Sequence, residues 1–430
     1  MNSKKVLFII FICALTVTGC DTQEQTTIDS GLTLIRATQT LDSLYANYSV
    51  SGTCLLRENY PSNVGNYTAT YLASEEQKAI PNQYSYLWPY SGTFSAVNAL
   101  CAATGDESYK TLLDNKVLRG LEKYLDISRS PVGYASYINT ASQSDRFYDD
   151  NIWLGIDFTD AYLNTKEEKY LKKAQLIWKF IESGADDKLG GGIYWCEQKK
   201  VSKNTCSNAP ASVFALKMFK AIRDSSYLIK GQELYEWTKK RLQDSTDYLY
   251  FDNISLDGKI DKSKYAYNSG QMMQAATLLY QLTGRSHFLK DAQNIAKACY
   301  NYFFINFIPE EGEPFKLLKK GDVWFTAVML RGFIELYQTD HNKTYINSFN
   351  QNMDYAWEHV RDEKGLFDID FSGRTHDDRK WLLTQAAMVE MYARLAVTKY
   401  KHLLKKNWYD KRKLFLAHSS CLHKQGTIRC

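Results

Sequence analysis

The sequence predicts an all-α fold in which twelve helices, paired as six hairpins, close into a ring. Three observations carry this expectation. An apolar helical pattern restarts near Tyr90, Asn151, Ser212, Gln271, Trp324 and Trp381, at steps of 53 to 61 residues, and self-similarity at a steady period marks a repeat architecture. Each of the first five patterns runs into a short polar turn and an aromatic residue that opens a second helix, as in Gly105-Asp106-Glu107-Ser108-Tyr109 and Asp224-Ser225-Ser226-Tyr227. The sixth pattern finds its partner at the other end of the chain, where Leu34, Ala37, Leu41, Leu44, Tyr45 and Tyr48 recur at helical spacing. An open solenoid would stack the same pairs without closing them.

Met1 to Gly19 reads as a targeting segment, with Lys4 and Lys5 ahead of the apolar run Val6 to Leu15. That run is too short to span a bilayer. Val17-Thr18-Gly19-Cys20 resembles a bacterial lipobox, which implies cleavage before Cys20, lipidation of that cysteine and anchorage in the bacterial cell envelope. Residues 20–30 are polar and read as a tether. The globular domain is expected over 31–397. Within it the first helix of each pair is apolar nearly all round, as Gln271-Met272-Met273-Gln274-Ala275-Ala276 shows, and belongs inside the ring. Second helices carry Lys, Glu and Asn on one face and belong outside. The tail 398–430 holds nine Lys and Arg against Asp410. Removing that surplus of 8 from the net charge of +5 leaves −3 on the body, so nucleic acid is an improbable partner.

Nine cysteines show no CxxC spacing, and Cys54, Cys101, Cys196, Cys206 and Cys299 fall in the body. Cys196 and Cys206 are close enough in sequence to bridge, and two free buried thiols fit equally well. Seven histidines form no metal-ligand motif, so no metal and no cofactor is expected. The expected state is a monomer.

The chemistry concentrates at Arg146-Phe147-Tyr148-Asp149-Asp150-Asn151-Ile152-Trp153. Cleavage of a glycosidic bond with retention uses two carboxyl groups about 5–5.5 Å apart. Consecutive residues, whose Cα atoms lie about 3.8 Å apart, can meet that spacing at the start of a helix. Such a pair also serves simply as a cap and dipole partner. Connections into the inner helices are long and rich in aromatics and amides, those out of them short, so one end of the ring should hold the site. The side chains expected to contact a sugar there are Trp88, Tyr90, Tyr148, Asn151, Trp195, Asn208, Asp252, Tyr267, Asn268, Trp324 and Trp381.

Trp88-Pro89-Tyr90-Ser91-Gly92, Tyr148-Asp149-Asp150-Asn151, Gly191-Gly192-Ile193-Tyr194-Trp195, Asn208-Ala209-Pro210-Ala211, Tyr267-Asn268-Ser269-Gly270 and Gln385-Ala386-Ala387-Met388 together resemble glycoside hydrolase family 76, the endo-α-1,6-mannanases. The resemblance implies an (α/α)6 barrel, a six-hairpin toroid, and retaining hydrolysis of α-1,6-linked mannan, with Asp149 as nucleophile and Asp150 as acid/base. Cys196 after Trp195, and Lys316, Lys319 and Lys320 before Trp324, depart from the familiar pattern. Two other functions compete, a surface glycan-binding lipoprotein without catalysis and a cell-wall transglycosidase on the same fold.

Overall fold

The computed structural model describes residues 30–62, 69, 72–73 and 82–398. The targeting segment, Cys20, nearly all of the tether and the tail beyond Thr398 lie outside these residues. Among the described residues twelve helices form an (α/α)6 barrel. Six line the inside: α2 (Leu87–Thr104), α4 (Tyr148–Thr165), α6 (Thr205–Ile222), α8 (Ala266–Thr283), α10 (Val323–Asp340) and α12 (382–398). Six lie outside: α1 (30–48), α3 (Glu107–Leu112 continued through a π turn, Leu113–Val117, into Leu118–Leu121), α5 (Glu168–Glu182), α7 (Ser225–Leu242), α9 (Ser286–Phe303) and α11 (Thr344–His359).

Inner helices are buried along most of their length because Ala, Gly, Met, Leu and Ser fill them, and small residues let backbones approach. The crossing of α8 and α10 shows how close: a Cβ on Gly270 would stand 2.4 Å from Met329 Cα, and one on Gly332 would stand 2.4 Å from Gly270 O. Contacts run from each inner helix to the next. Asn98 Nδ2 on α2 donates to Asp157 O on α4 (3.0 Å), and Lys217 on α6 pairs with Asp160 on α4 (2.5 Å). Helices α6 and α8 pack directly, and Arg331 on α10 grips Glu390 on α12. The circuit closes at Gly92 of α2, where a Cβ would lie 2.5 Å from Leu383 Cδ1 of α12. Outside, Ser30 Oγ donates to Ala396 O and Tyr48 OH to Lys380 O. A closed ring, not an open solenoid, is the result.

Five inner helices end the same way. Gly105, Lys166, Arg223, Gly284 and His341 each take the left-handed conformation and return their N–H to the carbonyl four residues back. That sharp stop leaves only a few residues before the outer helix begins, which keeps one end of the barrel plain. The opposite end carries all the length, including short strands that helical periodicity does not reveal. β1 (Asn59–Tyr60) pairs with β9 (Lys380–Trp381), and β2 (Leu125–Asp126) with β3 (Gly133–Tyr134). β4 (Ser202–Asn204), β5 (Phe251–Ser255) and β6 (Ile260–Lys264) form an antiparallel sheet, and β7 (Phe304–Phe307) pairs with β8 (Phe315–Leu318). The apolar pattern also places two helix starts late. α6 begins at Thr205 rather than near Ser212, and α8 at Ala266 rather than near Gln271. Their first turns are polar because they belong to the functional end.

Candidate active site

Asp149 and Asp150 are the second and third residues of α4, in its first turn. Their placement begins with Arg146, fully buried, whose guanidinium binds both oxygens of Glu197 and donates to Pro131 O (2.9 Å). Backbone bonds continue the splint, Glu197 N to Arg146 O (3.0 Å) and Tyr148 N to Trp195 O (2.9 Å). This short antiparallel bridge of 146–148 with 195–197 sets Trp195 over the start of α4, so that its Nε1–H donates to Asp149 Oδ2 (3.0 Å). The same oxygen lies 3.3 Å from Cys206 Sγ, on the first turn of α6. Asp149 Oδ1 accepts from Asp150 N (3.0 Å). Among the described residues no side-chain hydrogen bond reaches the Asp150 carboxyl.

Burial pushes Asp149 up to about 7, against the pull of its three hydrogen-bond donors. Asp150 is raised well above the usual carboxylate range, first by burial and then by the charge of Asp149. Two carboxyls this close titrate as a pair. The unbonded member keeps the proton, and the bonded member loses its proton first.

The pair opens onto a cavity of about 680 Å³. Aromatic rings form a wall of the same cavity. Trp88 meets Trp381 and Trp324 edge to face at 5.2 and 5.7 Å, Trp153 meets Trp324 at 4.8 Å, and Tyr267 stacks on Phe325 at 4.0 Å. Asp252 and Asp322 add two more carboxyls. Burial raises Asp252 and pushes Asp322 up to about 7. Rings for the C–H faces of a sugar and carboxyls for its hydroxyls therefore face one space. A second hollow, of about 660 Å³, lies on the outer wall between α5 and α7 beside Gly190–Gly192, away from the acidic pair.

Of the side chains expected to contact a sugar, Trp88, Trp195, Asp252, Tyr267, Trp324 and Trp381 line this cavity with the pair. Asn268 sits just behind the wall and donates to Asp252 Oδ1 (3.3 Å). With Asn268, four more do not reach it, and the expected placement of all five is corrected. Tyr148 is turned outward and stacks on Phe180 at 4.8 Å. Tyr90 OH donates within the protein, to Cys54 O and Val117 O. Asn151 exchanges two hydrogen bonds with the backbone of Tyr134 (2.7 and 2.9 Å), and Asn208 does the same with Ile193 (2.7 and 2.9 Å). Tyr90, Asn151 and Asn208 are each the fourth residue of their inner helix, as is Gln385, which binds both backbone groups of Phe367. The fourth residue clamps the incoming loop. The second residue faces the cavity: Trp88, Asp149, Cys206, Tyr267 and Trp324. Counting from helix starts would have found Cys206, which apolar periodicity passes over; Asp322 could be found as the residue capping α10. Cys196 and Cys206 are both free and buried. Among the described residues no cluster of His, Cys, Asp and Glu could hold a metal ion, and no helix is long and apolar enough to cross a membrane.

The family model described as glycosyl hydrolase family 76 matches residues 57–407. A family 76 mannosidase from Bacteroides thetaiotaomicron is similar in structure, with TM-score 0.78 and 32% identity, over 86% of this chain and 99% of that one. An α-1,6-mannanase from Salegentibacter sp., solved as an inactive variant with two consecutive aspartates replaced and in complex with α-1,6-mannotriose, gives TM-score 0.65 and 25% identity over 85% of this chain and 99% of that one. The meiotically up-regulated gene 191 protein of Schizosaccharomyces pombe is 30% identical over 201 residues, which span 42% of this chain and 43% of that protein.

Proposed function

Because the chain belongs to glycoside hydrolase family 76, we propose that it is a retaining, endo-acting hydrolase of α-1,6-linked mannan backbones, with Asp149 as nucleophile and Asp150 as general acid/base. The unequal surroundings of the two carboxyls carry this reading. Asp149 receives three hydrogen bonds, which favour an ionised group able to attack an anomeric carbon. Asp150 receives none from a side chain and is held protonated by burial and by its neighbour, as a group that must protonate a leaving oxygen should be.

In the first step Asp149 Oδ attacks the anomeric carbon while Asp150 gives its proton to the departing glycosidic oxygen. A covalent glycosyl-enzyme results. In the second, Asp150 takes a proton from water, whose oxygen attacks the same carbon and releases Asp149. Adjacency on one helical turn favours the short separation of a covalent route, about 5–5.5 Å, over the roughly 6.5–9.5 Å of an inverting one. A cavity open along an aromatic wall suits a chain threaded through the site, and mannan as substrate is supported by the mannosidase and mannanase among its structural relatives.

Linear α-1,6-mannan is the test. Early products should be oligosaccharides of intermediate length, and proton NMR during the reaction should show the α-anomer first. Release of mannose alone would remove the endo assignment, and the β-anomer first would remove retention; chains longer than the substrate would point to transglycosylation. We also propose that Cys20 carries a lipid that holds the monomer in the cell envelope. Cys20→Ala should then move it to the soluble fraction, and a variant that stays with the membrane would remove the anchor.

A further inference from the structure

We propose that Cys206 is a positioning residue for the reaction, donating its thiol proton to Asp149 Oδ2 and fixing that carboxylate jointly with Trp195. This rests on reading Asp149 as the nucleophile.

Three observations converge on the thiol. Its sulfur is 3.3 Å from Asp149 Oδ2, the oxygen that also accepts from Trp195 Nε1 at 3.0 Å. It occupies the second position of α6, as Asp149 does in α4, so two neighbouring inner helices direct these groups at one another. The Tyr267 side chain, from the second position of α8, lines the same cavity as the thiol. Burial and the charge of Asp149 push the thiol well above its ordinary range, so it keeps its proton and acts as a donor throughout the working pH. The same condition argues against a redox role, because the thiolate is the reactive form. Cys196 offers no partner for a disulfide, since it is packed with Phe147 and Tyr86 in a separate cluster.

A donor aimed at Oδ2 does two things. It leaves Oδ1, which accepts only from Asp150 N, as the oxygen turned to attack. It also favours the ionised form of Asp149 against the groups around it. Those groups are Asp150 on the same helix, Asp252 on β5, Tyr267 on α8, Cys196 in the loop before α6 and Lys199, which lines the same cavity. Only Lys199 among them brings positive charge, so the nucleophile depends on neutral donors.

Carboxyl ¹³C NMR of aspartate-labelled protein reads this directly, with the Asp149 signal identified by its loss in Asp149→Asn. Cys206→Ala and Cys206→Val remove the donor, the second without opening much space; Cys206→Ser keeps a donor. The Asp149 midpoint should rise by about one pH unit in Ala and Val and stay near the wild type in Ser, the size expected for one hydrogen bond to a charged group. The acid limb of kcat/KM on an activated α-1,6-mannobioside should move by the same amount, giving roughly tenfold lower activity on that limb in Ala and Val. An unchanged midpoint in both overturns the proposal, as does an activity loss in Ala that is equal at every pH and not restored by Ser. A wild type that shows the NMR shift pattern yet cleaves no α-1,6-mannan overturns the functional reading and leaves the hydrogen bond established.

Discussion

At the scale of the residue, the acidic pair shows how a helix start separates two like groups. Asp149 and Asp150 both titrate above the ordinary 3.8 in the fold, so the folded chain holds their protons more tightly than the unfolded chain. Stability from this source is present below about pH 4 and is lost as pH rises toward and beyond about 7. Asp150→Asn removes the Asp150 share of that loss, and its melting temperature at pH 8 should exceed the wild type by a few degrees, as for many active-site groups. Its turnover of mannan should fall about a hundredfold to ten-thousandfold. With a leaving group that needs no protonation, Asp150→Asn should accumulate a glycosyl-enzyme that mass spectrometry detects, and Asp149→Asn should form none. An adduct on Asp150 would reverse the two roles. The pair itself was legible in the sequence as two carboxylates among aromatics. The reason for its asymmetry was not, because Trp195 and Cys206 reach Asp149 only through the fold.

Elements repeat a rule that the sequence contains but periodicity hides. In five of the six inner helices the second residue faces the cavity, and in α2, α4, α6, α8 and α12 the fourth binds the loop that precedes the helix, so neighbouring polar residues have opposite duties. Asn151 and Asn208 look like sugar ligands in a linear reading because amides near tryptophans suit carbohydrate, yet both satisfy backbone groups of buried loops. Helical hairpins could be read because apolar residues dominate their cores and polar turns part them. The strands could not, since two to five residues of β structure in a loop leave no period to detect. Asn208→Ala would strand Ile193 N–H and C=O without their partners. It should lower stability by about 1–3 kcal/mol, measured by urea unfolding, and loosen the turn that carries Cys206. A loss below a few tenths would mean that water replaces the amide, and that the clamp is not what sets the start of α6.

The whole molecule is held at its centre by charge as well as by apolar packing. Arg331 of α10 binds Glu390 of α12 through two hydrogen bonds of 2.7 and 2.8 Å, and Arg394 approaches the same carboxylate at 2.6 Å. Asp157 of α4 bonds Ser95 of α2, so four of the six inner helices meet in this polar core. Its guanidinium also lies 5.9 Å from the Trp153 ring, which lines the cavity. Burial alone would raise Glu390, but Arg331 and Arg394 outweigh it and hold it at about 2, while burial pushes Asp157 up to about 6 against Arg331. Glu390 therefore supports the fold above its unfolded value of 4.5 and withdraws that support as pH falls toward 2. Removing one partner of the buried pair leaves the other short of charge, Glu390 with Arg394 alone and Arg331 with only the attraction of Asp157. Arg331→Met or Glu390→Gln should each cost about 3–5 kcal/mol, whereas Arg331→Met with Glu390→Leu should recover much of that loss. Calorimetry at pH 7 and pH 3 separates the cases: single variants should lose most at pH 7, and the double variant should show the weakest dependence on acid. If the double variant is no more stable than either single one, the charges do more than neutralise each other, and the junction of α2, α4, α10 and α12 needs them to hold its shape beneath the cavity.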